Sequence, residues 1–285
     1  MECAVRIPTG TIVTVCVLSA VLPTAGCAGS GVKEARLGES VYLLAATDRG
    51  PEPFTASTAT GVPGSAPPRG TAPVSAAELA APLRATRTLS GATPGLYHGS
   101  PHVADCDVER HIGYLAADRA RADAFARVAG VTRPALPAYL RGLTPVVLGT
   151  DTRVTNHSYR NRRADGYQAV LQAGTAVLVD DRGVPRVRCA CGNPLEPPAP
   201  TRGGAGARGT PWYGYRPNKV IVVAPAPHAV AGITIVDDGN RTWTERQVGH
   251  DVRRDHVVSP PVRAGTAPSP PAPPDTKPQA GTGGQ

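Results

Sequence analysis

The chain has 285 residues, of which 31 are proline, 32 are glycine and only 4% are aromatic, so a sizeable share of its length cannot contribute to a packed core. The formal charge of +8 is carried almost wholly by arginine, which points to a GC-rich coding bias more than to a selected chemistry. These values leave one modest domain with tails and exclude a chain packed throughout.

In chain order, the N-terminus reads as an export signal. Arg6 precedes an uncharged apolar run from Thr11 to Leu22 that is too short to span a hydrocarbon core, and Thr24-Ala25-Gly26-Cys27 follows. A cysteine directly behind small residues is where a lipoprotein signal is cut, its thiol acylated and its freed amine made residue one. Residues 1–26 are therefore expected to be a signal peptide and Cys27 the lipidation site. Pro23 and Thr24 stand where such signals usually carry aliphatic residues, so simple cleavage and secretion is the alternative. The expected address is the extracytoplasmic face of the cell membrane, where acidic partners would be phospholipid headgroups or wall polyanions and nucleic acid is a poor candidate.

Residues 27–88 read as a tether with one strand near 39–46; Pro, Gly, Ala, Thr and Ser dominate the stretch from Arg49 to Gly70, and Ala76 to Arg87 forms at most a weak helix. A globular domain is expected over 89–250. Asp107 can cap a helix carrying Val108, Ile112 and Leu115 on one face, and Asp118 a second with Ala122, Phe125, Ala126 and Ala129, stopped by Gly130. Thr132 can cap a third with Leu136, Leu140 and Leu143, Pro134 and Pro137 being tolerable near its first turn.

From Thr144 the period becomes extended, with strands over 145–148, 152–155 and 167–171. Residues 175–179 and 184–188 read as a hairpin around Asp180-Asp181-Arg182-Gly183, and 233–236 with 241–245 as a second around Asp237-Asp238-Gly239-Asn240. Continuing the alternation of 184–188 puts Val187, Cys189 and Cys191 on one face. A strand also returns at Lys219 to Val223, and residues 251–285 read as a disordered Pro-rich tail.

Cys3 and Cys16 leave with the signal and Cys27 takes the lipid, so Cys106, Cys189 and Cys191 remain in an oxidising space. Bridging Cys189 to Cys191 would strain an extended strand, so Cys106 is expected to pair with Cys189 or Cys191. The candidate binding surface is Asn156, His157, Arg160, Arg162 and Arg163, on what reads as an exposed loop, since guanidinium forks match phosphate or carboxylate bidentately. Cys189 and Cys191 with His157, His98 or His102 lack the spacing of a tetrahedral zinc set, so no metal and no cofactor is expected. The aspartate pairs at 180–181 and 237–238 are explained as turn residues.

The segments Thr152 to His157, Leu171 to Leu195 and Leu143-Thr144-Pro145 together resemble an uncharacterised lipoprotein domain family of high-GC Gram-positive bacteria. The resemblance covers roughly Leu89 to Val248, with Val41 to Thr55 similar to its leading strand. It implies an extracytoplasmic domain of unknown function and carries no catalytic residues across.

The expected fold is α+β, with about three short helices packed on a small antiparallel sheet between disordered Pro/Gly-rich tails. The expected function is a non-enzymatic, envelope-associated binding module held to the membrane by its N-terminal lipid, with an anionic envelope polymer or an envelope protein as partner. An extracytoplasmic hydrolase or transferase is the alternative, and a thiol-based redox protein the third class. His157 beside Asp151, or an exposed cysteine in a concave pocket, would favour catalysis.

Overall fold

A computed structural model describes residues 40–61, 87–200 and 206–261. The expected signal peptide, Cys27, most of the Ala-rich stretch before Arg87 and the tail after residue 261 lie outside the described residues.

The described residues form strands β1 (Val41–Leu44), β2 (Arg87–Ser90), β3 (Tyr97–His98), β4 (Thr144–Leu148), β5 (Thr152–Arg160), β6 (Arg163–Leu171) and β7 (Ala176–Val179). Strands β8 (Pro185–Arg188), β9 (Asn193–Glu196), β10 (Ala207–Arg208), β11 (Ile221–Ala224), β12 (Gly232–Val236), β13 (Trp243–Gln247) and β14 (His256–Val258) complete the set. All 14 join in one sheet of order β10-β1-β6-β5-β9-β8-β7-β4-β3-β12-β13-β14, with β11 beside β5 and β2 beside β11. The sheet is mixed: β1 runs parallel to β6 and β10, β11 to β2 and β5, and β3 to β12.

This overturns the expectation of a small antiparallel sheet. The three helices are present, but the architecture is dominated by strands. The physical reason is that β3 and β10 are two residues long, too short for an alternation to register, and that parallel partners such as Leu44 and Leu171 come from distant segments with no hairpin turn to announce them.

The first two helices follow their caps, whereas Thr132, expected to cap the third, makes no side-chain capping bond. Asp107 accepts from the Arg110 amide and opens α1 (Val108–Ala116), and Asp118 accepts from the Arg121 amide and opens α2 (Arg119–Ala129). Gly130 closes α2 in the left-handed conformation, φ 70°. Pro134 sits in a single 3-10 turn before α3 (Leu136–Arg141), which buries Leu136 and Leu140.

Two large cores result. One gathers Leu44, Tyr97, Val146, Val154, Leu171, Val177, Leu195, Val223 and Ile235, from strands spread along the whole order, so the sheet curls around a shared interior. The other packs Val108, Leu115, Phe125, Leu136 and Leu140 of the helices onto Leu178 and Val187. The Cys106–Cys189 disulfide ties the approach to α1 to this layer, with the Cα atoms 5.9 Å apart. Strand β8 ends at Arg188 and Cys189 to Gly192 form a turn, so the expected alternation through Cys191 stops, and Cys191 is a separate buried thiol.

The fold also runs past both expected boundaries. Residues 40–61 contribute β1 and a strap across the Cys189–Asn193 turn: Thr55 and Thr58 amides donate to the Cys191 and Cys189 carbonyls, both at 2.8 Å, and the Phe54 amide donates to Asn193 Oδ1 at 2.9 Å. Phe54 is fully buried against Phe125 and Tyr159. At the other end β14 pairs with β13, beyond residue 250. Gly183 shows why its hairpin needs glycine: φ is 70° and a Cβ there would collide with the Gly91 carbonyl.

Candidate functional site

Strands β5 and β6 form a nine-residue ladder from Thr152↔Leu171 to Arg160↔Arg163, so the stretch expected to be a loop is the outer half of a long hairpin. Only Asn161 and Arg162 turn the chain, with φ 49° and 61°, the positive values of a two-residue type I′ connection. The polar composition of the stretch hides this strand, although Asn156, His157 and Ser158 are buried in it.

The ladder divides the expected site residues. Asn156 is fully buried and its Nδ2 donates to the Tyr167 hydroxyl at 2.7 Å. His157 is 7% exposed, with Nδ1 3.1 Å from the Pro194 carbonyl and Nε2 3.2 Å from Glu196 Oε2. Arg160, Arg162 and Arg163 remain exposed at the tip, Arg160 reaching Glu52 at 3.9 Å.

Beneath the tip lies an open cleft of about 610 Å³, lined by Asn161, Arg162, Arg163 and Ala164 of the hairpin, Ala124, Arg127 and Val128 of α2, and Glu196 of β9. Arg127 and Glu196 were not singled out from the sequence. No sequence signal marks Arg127, because Asp123 lies four residues before it at ion-pair spacing; in the structure Asp123 meets Arg119 and Arg133 instead, and Arg121 meets Asp118 and lies over the Tyr159 ring. Among the described residues Arg127, Arg162 and Arg163 have no ion-pair partner. Three arginines thus line one cleft without an ion pair among the described residues, an arrangement suited to an anion. Glu196 is held below the usual carboxylate range, chiefly by its hydrogen bond with His157.

A second cleft, about 510 Å³, is mainly acidic, lined by Asp105, Asp237, Asp238 and His98 with Arg49 and small residues that include Ala59, Gly174, Ala176 and Ala190. His98 Nδ1 stands 2.7 Å from Asp238 Oδ2. Burial raises the Asp105 carboxyl, while a hydrogen bond from Ser100 and the turn amides of Gly239 and Asn240 lower Asp237.

The arrangements that would favour catalysis do not assemble among the described residues. Asp151 accepts from the Ala173 amide at 2.8 Å and Trp212 Nε1 at 3.2 Å rather than meeting His157. Cys191 is buried, its thiol pushed up by desolvation, with Arg188 Nη1 3.9 Å from the sulfur. His102 Nδ1 faces the Val252 carbonyl, and no group of three His, Cys, Asp or Glu among the described residues could hold a metal ion. No helix of the described residues is long and apolar enough to cross a membrane. Asp180 does serve its turn, accepting from the Arg182 and Val184 amides.

Residues 87–249 match the model of a domain family described as a domain of unknown function, DUF6777. No curated protein and no solved structure matches the chain.

Proposed function

The chain belongs to the DUF6777 family of domains of unknown function, and from that premise we propose that it is a non-enzymatic, anion-binding module of the cell envelope. The observation that carries the reading is the cleft between α2 and the β5–β6 tip, where Arg127, Arg162 and Arg163 stand without acid partners among the described residues. Its partner is a phosphate- or carboxylate-bearing envelope polymer, or an envelope protein presenting the same groups. Supporting the address are the Thr11 to Leu22 apolar run and the Ala25-Gly26-Cys27 junction, which suit a lipid-anchored protein of a high-GC Gram-positive bacterium.

Retention on immobilised polyphosphate tests the binding reading. Replacing Arg127, Arg162 and Arg163 by Ala is expected to weaken retention roughly tenfold or more, and added salt to weaken it in the parent chain. Unchanged retention would remove the only surface the reading names. Mass spectrometry of the mature N-terminal peptide tests the anchor, which requires an acylated Cys27.

A second reading, a hydrolase or transferase, draws on the acidic cleft. There Asp105 is pushed towards the protonated form and Asp237 towards the ionised form, the division that acid–base chemistry uses. Asp237→Asn is the variant that separates the two readings, since it leaves the basic cleft intact.

A further inference from the structure

Opposite charges line the basic cleft and do not meet. Glu196 faces the same space as Arg127, Arg162 and Arg163, yet among the described residues its side-chain partner is the His157 imidazole, with Nε2 3.2 Å from Oε2. The imidazole is nearly buried and is fixed from behind by Nδ1 against the Pro194 carbonyl at 3.1 Å, so it holds the carboxylate on the β9 side. Arg186, the other cation that acts on Glu196, is already committed to Asp180 at 2.8 Å. The three cleft guanidiniums neither neutralise Glu196 nor are neutralised by it.

A cleft held in this state is served incompletely by a simple ion. A plain anion satisfies the arginines but meets the Glu196 carboxylate, and a plain cation does the reverse. A ligand carrying both charges answers both walls without displacing Glu196 from His157, so nothing in the protein has to reorganise. We propose that the cleft takes a zwitterion, with an anionic group for Arg127, Arg162 and Arg163 and an ammonium for Glu196 on one short scaffold. Phosphoethanolamine, free or as a lipid headgroup, is the simplest ligand of this class. The inference rests on the anion-binding reading above and adds the cationic half of the ligand.

Calorimetric titration of the full chain with inorganic phosphate, ethanolamine and phosphoethanolamine tests it. Phosphoethanolamine is expected to bind about tenfold tighter than phosphate, and ethanolamine not measurably. Glu196→Gln is expected to erase that advantage by weakening phosphoethanolamine while phosphate binds as well or better. Equal affinities for phosphate and phosphoethanolamine in the parent chain would overturn the zwitterion and leave anion binding standing. If the arginine substitutions spare phosphate binding, both fall. Should Glu196→Gln not fold, the three affinities of the parent chain decide alone. Flotation of a Cys27→Ser chain with phosphatidylethanolamine vesicles distinguishes the sources: binding there assigns the headgroup, and binding of the soluble compound alone assigns a free metabolite, either of which supports the proposal.

Discussion

Arg246 Nη2 and Asp255 Oδ2 lie 2.7 Å apart with both side chains fully sequestered from solvent. The guanidinium also donates to the carbonyls of Pro145, Ser100 and Val103, and Asp255 accepts from the His102 amide. The pair therefore clasps β13, the start of β4 and the 100–103 loop to a residue beyond the expected end of the domain. Asp255→Ala leaves a buried cation unpaired and is expected to cost about 3–5 kcal/mol of unfolding free energy, read by urea denaturation. A chain ending at residue 250 should lose at least as much; equal stability would show that the clasp does not hold the fold.

The disulfide specifies one partner. Non-reducing peptide mapping should join Cys106 to Cys189, surviving Cys191→Ser and disappearing in Cys189→Ser. With the two cysteines 83 positions apart, its loss removes about 4.5 kcal/mol on the chain-entropy estimate.

His111 makes the fold acid-sensitive. It is buried against Phe125 with no hydrogen-bond partner on either ring nitrogen among the described residues, and burial lowers its pKa to about 4. The folded state therefore holds the neutral ring, a contribution fully present above the unfolded value of 6.5 and lost as pH falls towards 4. The loss amounts to about 3 kcal/mol, and His111→Leu should flatten stability over this interval. A variant with the parent's acid profile would assign the sensitivity elsewhere.

Asp151 acts with the opposite sign. Burial raises its pKa to about 6 despite the hydrogen bonds from Ala173 and Trp212, so its contribution is full below 3.8 and lost as pH rises through 6. Asp151→Asn should remove that decline between pH 4 and 6 in denaturation curves. A persisting decline would mean that another carboxyl is responsible.

Arg162→Gly separates folding from binding. The left-handed backbone at φ 61° costs a side-chain-bearing residue about 1 kcal/mol and glycine much less, and Asn-Gly is the preferred type I′ pair. The variant should melt no lower than the parent while binding phosphate more weakly. A lower melting temperature would show that the Arg162 side chain stabilises the tip.

Much of this was legible where the signal is local. Asp107, Asp118 and Gly130 announce their helices because capping joins residues a few positions apart, and Gly183 announces its turn through its own backbone. The candidate site was legible in part. The charge at Arg160, Arg162 and Arg163 is visible in the chain, but the burial of Asn156 and His157 depends on partners from β6 and β9, and the opposite wall, Arg127, arrives from another element.

The amino-acid order alone settled local matters: the caps of the first two helices, the turn glycines and the apolar stripes of three helices, and it pointed to a bridge from Cys106 to Cys189 or Cys191. Tertiary structure decided which cysteine closes that bridge, that distant segments pair in parallel into a fourteen-stranded sheet, and that three arginines and one glutamate border a single cleft. The division follows from range. Hydrogen bonds and backbone preferences act over a few residues and leave a mark in the sequence, whereas packing joins groups far apart in the chain whose meeting is a property of the whole fold.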